Sequence, residues 1–143
     1  MKNLLIASLL VCFSNLSYSQ GWSLVWEDEF SGTTLDQSKW THALGTGSQN
    51  GLWGWGNGEL QFYQAGNAEV SNGTLKIIAK EEPNGIVDSW GNTMYYSSSR
   101  IKTENKFEVR YGKIEARIKT VNGEGFWPAF WMLPSGGSWP CDG

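Results

Sequence analysis

The residues "GKIEARIKT", Gly112–Thr120, alternate cleanly between apolar and charged. In an extended chain Ile114, Ala116 and Ile118 share one side, while Lys113, Glu115, Arg117 and Lys119 share the other. A period of two predicts a strand with one buried and one wet face. "WSLVWEDEF" (Trp22–Phe30) predicts another strand, apolar and aromatic until it turns acidic. "TLKIIAK" (Thr74–Lys80) predicts a third, rich in β-branched residues and placed directly after "SNG". Asn/Gly and Gly/Ser clusters punctuate these runs at Gly45–Gly51, Asn72–Gly73, Asn84–Gly85 and Ser135–Ser138. No stretch keeps a helical period, and no internal repeat is visible. Short strands separated by turn signals predict an all-β fold, an antiparallel β-sandwich.

The stretch "GFWPAFWMLP" (Gly125–Pro134) carries the same period with a different content. Trp127, Ala129, Trp131 and Leu133 line one side, and Phe126, Pro128, Phe130 and Met132 the other. The second set suits a core. The first puts two indoles on one surface with a small residue between them. Flat aromatic faces of this kind match the apolar C–H face of a pyranose, although both tryptophans could equally cover core. Pro128 bars a regular ladder bond, so the strand is expected at an edge or a bulge. "GLWGWGNGELQFY" (Gly51–Tyr63) mixes glycines, which let a backbone approach a ligand closely, with Trp53, Trp55 and Tyr63 as stacking faces. Its Asn57 and Glu59 offer hydrogen-bonding groups. The alternative is a flexible loop with its tryptophans tucked inward.

The first twenty residues change the picture, because they read as a secretory signal peptide and not as part of the fold. Lys2 supplies a positive start, Leu4–Phe13 an apolar run broken only by Ser8, and "SNLSYSQ" the small and polar residues that follow. Cleavage is expected after Ser19 or Gln20. The apolar run is too short for a membrane anchor, which needs about 20 residues. A lipidated Cys12 is disfavoured by the bulk of Val11. Secretion, extracellular or periplasmic, is therefore expected, with no membrane attachment after cleavage. The remaining cysteine, Cys141, is then odd in number, which suggests a missing partner or a free thiol.

The chain has 143 residues and a formal charge of −3, so one domain at most is expected. No Lys/Arg run marks a nucleic-acid binder. Aromatic residues make up 14%, with nine tryptophans, which fits a domain that binds something neutral.

Seven stretches, "WSLVWEDEF", "LDQSKW", "GNGELQFY", "NGTLKIIAK", "SSSRIKT", "YGKIEARIK" and "GFWPAFWMLP", stand in an order that resembles glycoside hydrolase family 16, its laminarinase-like β-1,3-glucanases in particular. The resemblance covers Trp22–Gly143. It implies a concanavalin-like jelly-roll sandwich with a sugar-binding cleft on its concave face, incomplete in this chain. It implies that Asn57, Arg100, Trp127 and Trp131 contact sugar; the plainer alternative for Arg100 is a surface ion pair. Of the two tryptophans, Trp131 is expected to be the more deeply packed, being further from Pro128.

The catalytic motif of the resembled family is Glu-x-Asp-x-x-Glu, and no such run occurs in this sequence. "WPCDG" (Trp139–Gly143) looks like the loop that leads to it, so residues 21–143 are expected to be the N-terminal part of such a domain, with no catalytic residue. Glu27–Glu29 match the domain's edge, Glu81–Glu82 are expected in solvent, and Glu104 and Glu108 flank a strand junction. Retaining glycosidases need two carboxyls about 5–5.5 Å apart, one as nucleophile and one as acid/base. The resemblance thus implies an endo-acting retaining β-1,3-glucanase for the full-length protein and no hydrolysis by these residues alone. It implies a β-1,3-glucan or related polysaccharide as substrate, no cofactor for the reaction, and a monomer. A structural calcium away from the cleft is a further implication, with no ligand assigned. A non-catalytic β-glucan-binding module and a purely structural sandwich stay open, as do mixed-linkage glucan, agarose and carrageenan as substrates.

Overall fold

The computed structural model describes residues 21–135. The expected signal peptide, Cys12, Cys141 and the expected Trp139–Gly143 loop lie outside the described residues. Regular structure is strand with short 3₁₀ turns: β1 (Thr41–Ala43), β2 (Gln61–Tyr63), β3 (Ala68–Ser71), β4 (Thr74–Ile77), β5 (Lys80–Val87), β6 (Thr93–Ser98) and β7 (Arg100–Lys102). They pair as β1–β7, β2–β6–β5 and β3–β4. All pairs are antiparallel except β2–β6, which is parallel.

The β3–β4 hairpin follows from its turn. Ser71 faces Thr74, leaving Asn72–Gly73 as a two-residue loop. Both loop residues have positive φ, 52° and 67°, as the primed turns that match strand twist demand. Asn84–Gly85 behaves differently. It lies inside β5, where the register to β6 shifts between Glu81 and Ile86. A bulge absorbs the extra residues, and Pro83, which has no N–H to donate, sits within it. A Cβ on Gly85 would come within 2.2 Å of Thr93 Cγ2, so only glycine passes there.

A buried polar centre and an aromatic cluster organise this part of the chain. Asn67 and Ser97 are fully buried. Asn67 Nδ2 donates to Ile78 O at 2.8 Å and to Ser97 Oγ at 3.0 Å, and Ser97 Oγ donates to Glu82 Oε1 at 2.6 Å. Glu82 is thereby half-buried, not in solvent as its place beside a turn suggested. Trp26 stacks on Phe107 at 5.3 Å and meets Trp40 edge-on at 5.4 Å. Trp40 Nε1 donates to Asp28 Oδ2 at 2.8 Å, and Lys39 Nζ donates to Glu27 O.

Three expected strands are corrected. Trp22–Phe30 forms no strand: Asp28 Oδ1 accepts the Phe30 N–H at 2.9 Å, and Phe30 turns left-handed at φ 50°. Gly112–Thr120 has no ladder partner among the described residues, and Ile114 and Ile118 are exposed. Trp127–Leu133 is likewise no strand, and Phe126, Phe130 and Met132, expected in the core, are exposed. Alternation says which face a strand would bury; it does not supply the neighbouring strand that satisfies its backbone.

Candidate functional site

The loop between β1 and β2 builds the site. Leu52 N and Asn50 N both donate to Gly47 O, closing a first tight turn. Asn57 N and Glu59 N donate to Gly54 O at 2.9 and 3.1 Å, closing a second. Gly54 and Trp55 are both left-handed, at φ 51° and 54°. Glycine accepts that conformation freely; tryptophan holds it only when its surroundings enforce it. A Cβ on Gly54 would lie 2.5 Å from Glu59 N, so the loop closes this tightly only on glycine.

The turn delivers Glu59 to the start of β2, where Glu59, Gln61 and Tyr63 share one face. Glu59 Oε1 accepts Asn57 Nδ2 at 3.0 Å, and Oε2 accepts Gln61 Nε2 at 3.2 Å and the Tyr63 hydroxyl at 2.7 Å. Gln61 Nε2 also donates to the Tyr63 hydroxyl oxygen at 2.7 Å. Arg100, first residue of β7, brings Nη1 to 4.0 Å from Glu59 Oε1. Its guanidinium carbon stands over two indoles, 4.6 Å from the Trp55 centroid and 4.9 Å from that of Trp131. Trp55 Nε1 is tied to Gly45 O at 3.2 Å, and its ring lies 6.3 Å from that of Tyr63. Burial, and then the hydrogen bond to Glu59, push the Tyr63 phenol up to about 12, so it remains a donor.

Of the four residues singled out for sugar contact, Asn57, Arg100 and Trp131 converge here on Glu59 and Trp55. Trp127 does not join them among the described contacts and is 92% exposed, against 49% for Trp131. Trp131 is the better covered of the two, through Arg100. The ion pair considered for Arg100 is present, together with contacts to two indole rings. Glu59 was expected as a hydrogen-bonding group and is one, Tyr63 was expected as a stacking face and enters through its hydroxyl, and Gln61 was not singled out, although the period-two spacing in "ELQFY" placed all three on one face.

Chemically, this is a preorganised polar rim beside indole faces. Three of the roughly four acceptor sites of Glu59 are filled by donors, and a cation stands beside it. A carboxylate so occupied orients its neighbours and has little freedom to shuttle a proton. No three His, Cys, Asp or Glu side chains among the described residues come together as a group that could hold a metal ion.

Residues 56–142 match the family described as glycosyl hydrolases family 16. The chain belongs to this family. Family 16 relatives include a glucan endo-1,3-beta-glucosidase A1 of Niallia circulans, 41% identical over 130 residues, 86% of this chain and 19% of the relative. The clotting factor G alpha subunit of Tachypleus tridentatus is also 41% identical, over 89% of this chain and 17% of its own length. Among solved structures, the laminarinase catalytic domain of Thermotoga maritima superposes with a TM-score of 0.59 at 45% identity, covering 64% of this chain and 35% of that one. The fold is therefore the all-β jelly-roll sandwich of family 16, of which these residues form a part. The chain spans less than a fifth of those two curated relatives and about a third of the solved domain.

Proposed function

We propose that the full-length protein is a retaining endo-β-1,3-glucanase of family 16, and that the residues described here form one wall of its sugar cleft. The observation that carries the reading is the Trp55–Arg100–Trp131 stack beside Glu59, in a chain 45% identical to a laminarinase domain. In this reading the exposed indole surface around the stack takes the apolar face of a glucosyl ring. Asn57, Arg100 and the Glu59 rim take its hydroxyls, and Trp127 extends the platform. The two carboxyls that break the glycosidic bond are not among residues 1–143, which hold no Glu-x-Asp-x-x-Glu run. The protein acts as a secreted monomer on an extracellular or periplasmic polysaccharide and needs no cofactor. The leader-like residues 1–20 support the secretion.

A second reading has one observation in its favour. The clotting factor G alpha subunit carries 41% identical sequence in a protein whose name is not that of a hydrolase. A β-glucan-binding module without catalysis would show the same wall. Incubating the full-length protein with laminarin separates the two. New reducing ends establish the hydrolase. Saturable binding with no reducing ends establishes the binding module, and neither outcome leaves room for a purely structural sandwich.

A further inference from the structure

Asp88 lies outside the sugar-facing cluster, yet it is buried and its carboxylate is filled. It stands at the turn between β5 and β6. Oδ1 accepts the backbone N–H groups of Trp90 and Asn92, each at 2.9 Å. Oδ2 accepts Asn92 Nδ2 at 3.2 Å and, from forty-two positions away, the Thr46 hydroxyl at 2.8 Å. Bonds to the turn residues need only a turn. The bond to Thr46, itself buried, serves a different element: the loop that carries Trp55. Ser48 Oγ and Ser89 Oγ, 2.6 Å apart, make a second tie between the same two segments.

Segment 45–47 in turn grips Trp55 at three points. Thr46 O accepts the Trp55 backbone N–H at 2.9 Å, and Gly45 O accepts its indole N–H at 3.2 Å. Gly47 approaches so closely that a Cβ there would stand 3.0 Å from Trp55 Cα and N. Trp55 is left-handed, a strained conformation for a non-glycine residue that persists only where neighbours over-determine it. These grips are the neighbours. Gly45 is itself paired with Tyr63 through two backbone bonds, at 2.8 and 3.0 Å, and Thr46 is tied through its hydroxyl to the buried carboxylate at the β5–β6 turn.

We infer that Asp88, through the Thr46 hydroxyl, is a positioning residue for the sugar platform: it holds Trp55 in its strained setting and so keeps the face on which Arg100 and Trp131 stack. The inference rests on the cleft-wall reading for its consequence in binding, and on geometry alone for the tether itself.

Thr46→Val tests it, because valine keeps the shape, removes the hydroxyl and leaves the bonds of Asp88 to Trp90 and Asn92 in place. Thr46→Ser restores the hydroxyl and is the rescue. In the full-length protein, hydrogen exchange at the Trp55 backbone and indole N–H should quicken about tenfold or more in Thr46→Val, the scale of a lost hydrogen bond to a charged group. Exchange in the β3–β4 hairpin should stay as in the parent, and Thr46→Ser should return Trp55 to parent rates. Affinity for laminarihexaose should fall by a similar factor in Thr46→Val and recover in Thr46→Ser. Asp88→Asn should behave as Thr46→Val at Trp55. Unchanged Trp55 exchange in Thr46→Val, or quickening spread equally to the β3–β4 hairpin, overturns the tether. Quickened Trp55 exchange with unchanged laminarihexaose affinity overturns its role in binding. A parent protein that does not bind laminarihexaose removes the cleft reading instead, and the exchange rates still decide the tether.

Discussion

The guanidinium carbon of Arg100 contacts the rings of both Trp55 and Trp131, 4.6 and 4.9 Å from their centroids. One residue from β7 therefore joins two stretches of aromatic sequence, Gly51–Tyr63 and Gly125–Pro134, into a single surface. A cation over an indole contributes about 0.5–2 kcal/mol, more as water is excluded. A planar, delocalised guanidinium suits contact with two rings and a carboxylate at once better than a lysine ammonium does.

Arg100→Ala should therefore weaken oligosaccharide binding in the full-length protein by about 1–3 kcal/mol, the cost of truncating a charged hydrogen-bonding group. Arg100→Lys should recover little of it, because the planar group that contacts both rings is lost while the charge is kept. Titration calorimetry with laminari-oligosaccharides measures both. Affinity equal to the parent in Arg100→Ala removes Arg100 from the site, and full rescue by lysine reduces it to a charge.

Trp127 and Trp131 should respond differently to truncation. Trp127 stands 92% exposed, so Trp127→Ala should change stability by no more than about 0.5 kcal/mol, the range of surface substitutions. Its effect should appear in sugar affinity instead. Trp131→Ala should lower both, since it removes one of the two rings that Arg100 contacts. Thermal melting and oligosaccharide affinity measured on the same two variants check this. A large fall in melting temperature for Trp127→Ala would make it a core residue.

These expectations show what was legible in the sequence. Asn72–Gly73 announced its hairpin because a primed turn is a two-residue property, set by which residues tolerate positive φ. The period-two run Glu59, Gln61, Tyr63 was likewise local and readable, though its meaning needed Arg100, about forty residues on. Asn57 and Trp131 were singled out from their own stretches and Arg100 by resemblance to family 16; nothing in their spacing places the three together. The segments 22–30, 112–120 and 126–133 carried strand-like patterns and formed no strands. A ladder is a relation between distant stretches, and a pattern along one stretch cannot report whether its partner is there. The tie between Asp88 and Thr46 was invisible for the same reason: each residue is an ordinary turn former in its own neighbourhood.

Gly54→Ala should be among the most damaging single changes in the β1–β2 loop. The left-handed conformation costs an L-residue about 1–2 kcal/mol by itself. The added methyl would also meet the Glu59 backbone nitrogen at 2.5 Å, which backbone cannot yield cheaply. The turn that delivers Glu59 should open, loosening Asn57 and Arg100 together. Gly51→Ala, also left-handed at φ 73° but with open space around it, should cost only the conformational part. Comparing denaturant midpoints and sugar affinity for the pair separates clash from conformation. Equal effects of the two substitutions would show that the close approach to Glu59 does not matter.

Tyr63 sets an alkaline limit. Burial and the bond to Glu59 raise its phenol to about 12 from the ordinary value near 10. A raised folded-state value means that the neutral phenol is favoured by folding. That contribution is fully present below about pH 10 and is lost as pH climbs through about 12. Tyr63→Phe should remove this part of the alkaline loss and also leave Glu59 with one donor fewer. Following phenolate absorbance and unfolding together between these limits checks the sign. Ordinary titration of every tyrosine near pH 10 would show that Glu59 does not hold the phenol.

Residues 21–143 expressed by themselves should not form a cooperatively folded monomer. Among the described residues the buried apolar side chains are Ala43, Val70 and Met94. Fully burying one large apolar side chain stabilises by about 1.5–3 kcal/mol, whereas ordering each residue's backbone costs about 1–2 kcal/mol. A core that small cannot offset the ordering of more than a hundred residues. Meanwhile Phe126, Trp127, Phe130, Trp131, Met132 and Leu133 stand exposed in one contiguous stretch. Contiguous exposed apolar surface of this kind promotes association. The polar centres at Asn67–Ser97–Glu82 and Thr46–Asp88 keep local geometry, and they bury no apolar area to replace a core. The expected material is therefore insoluble, or soluble with dye-binding apolar surface and a broad melt. It should cleave no laminarin in either state. Sedimentation, calorimetry and dye binding on the isolated segment decide the point. A soluble monomer with a sharp calorimetric transition would mean that the exposed aromatic stretch finds its cover within these residues.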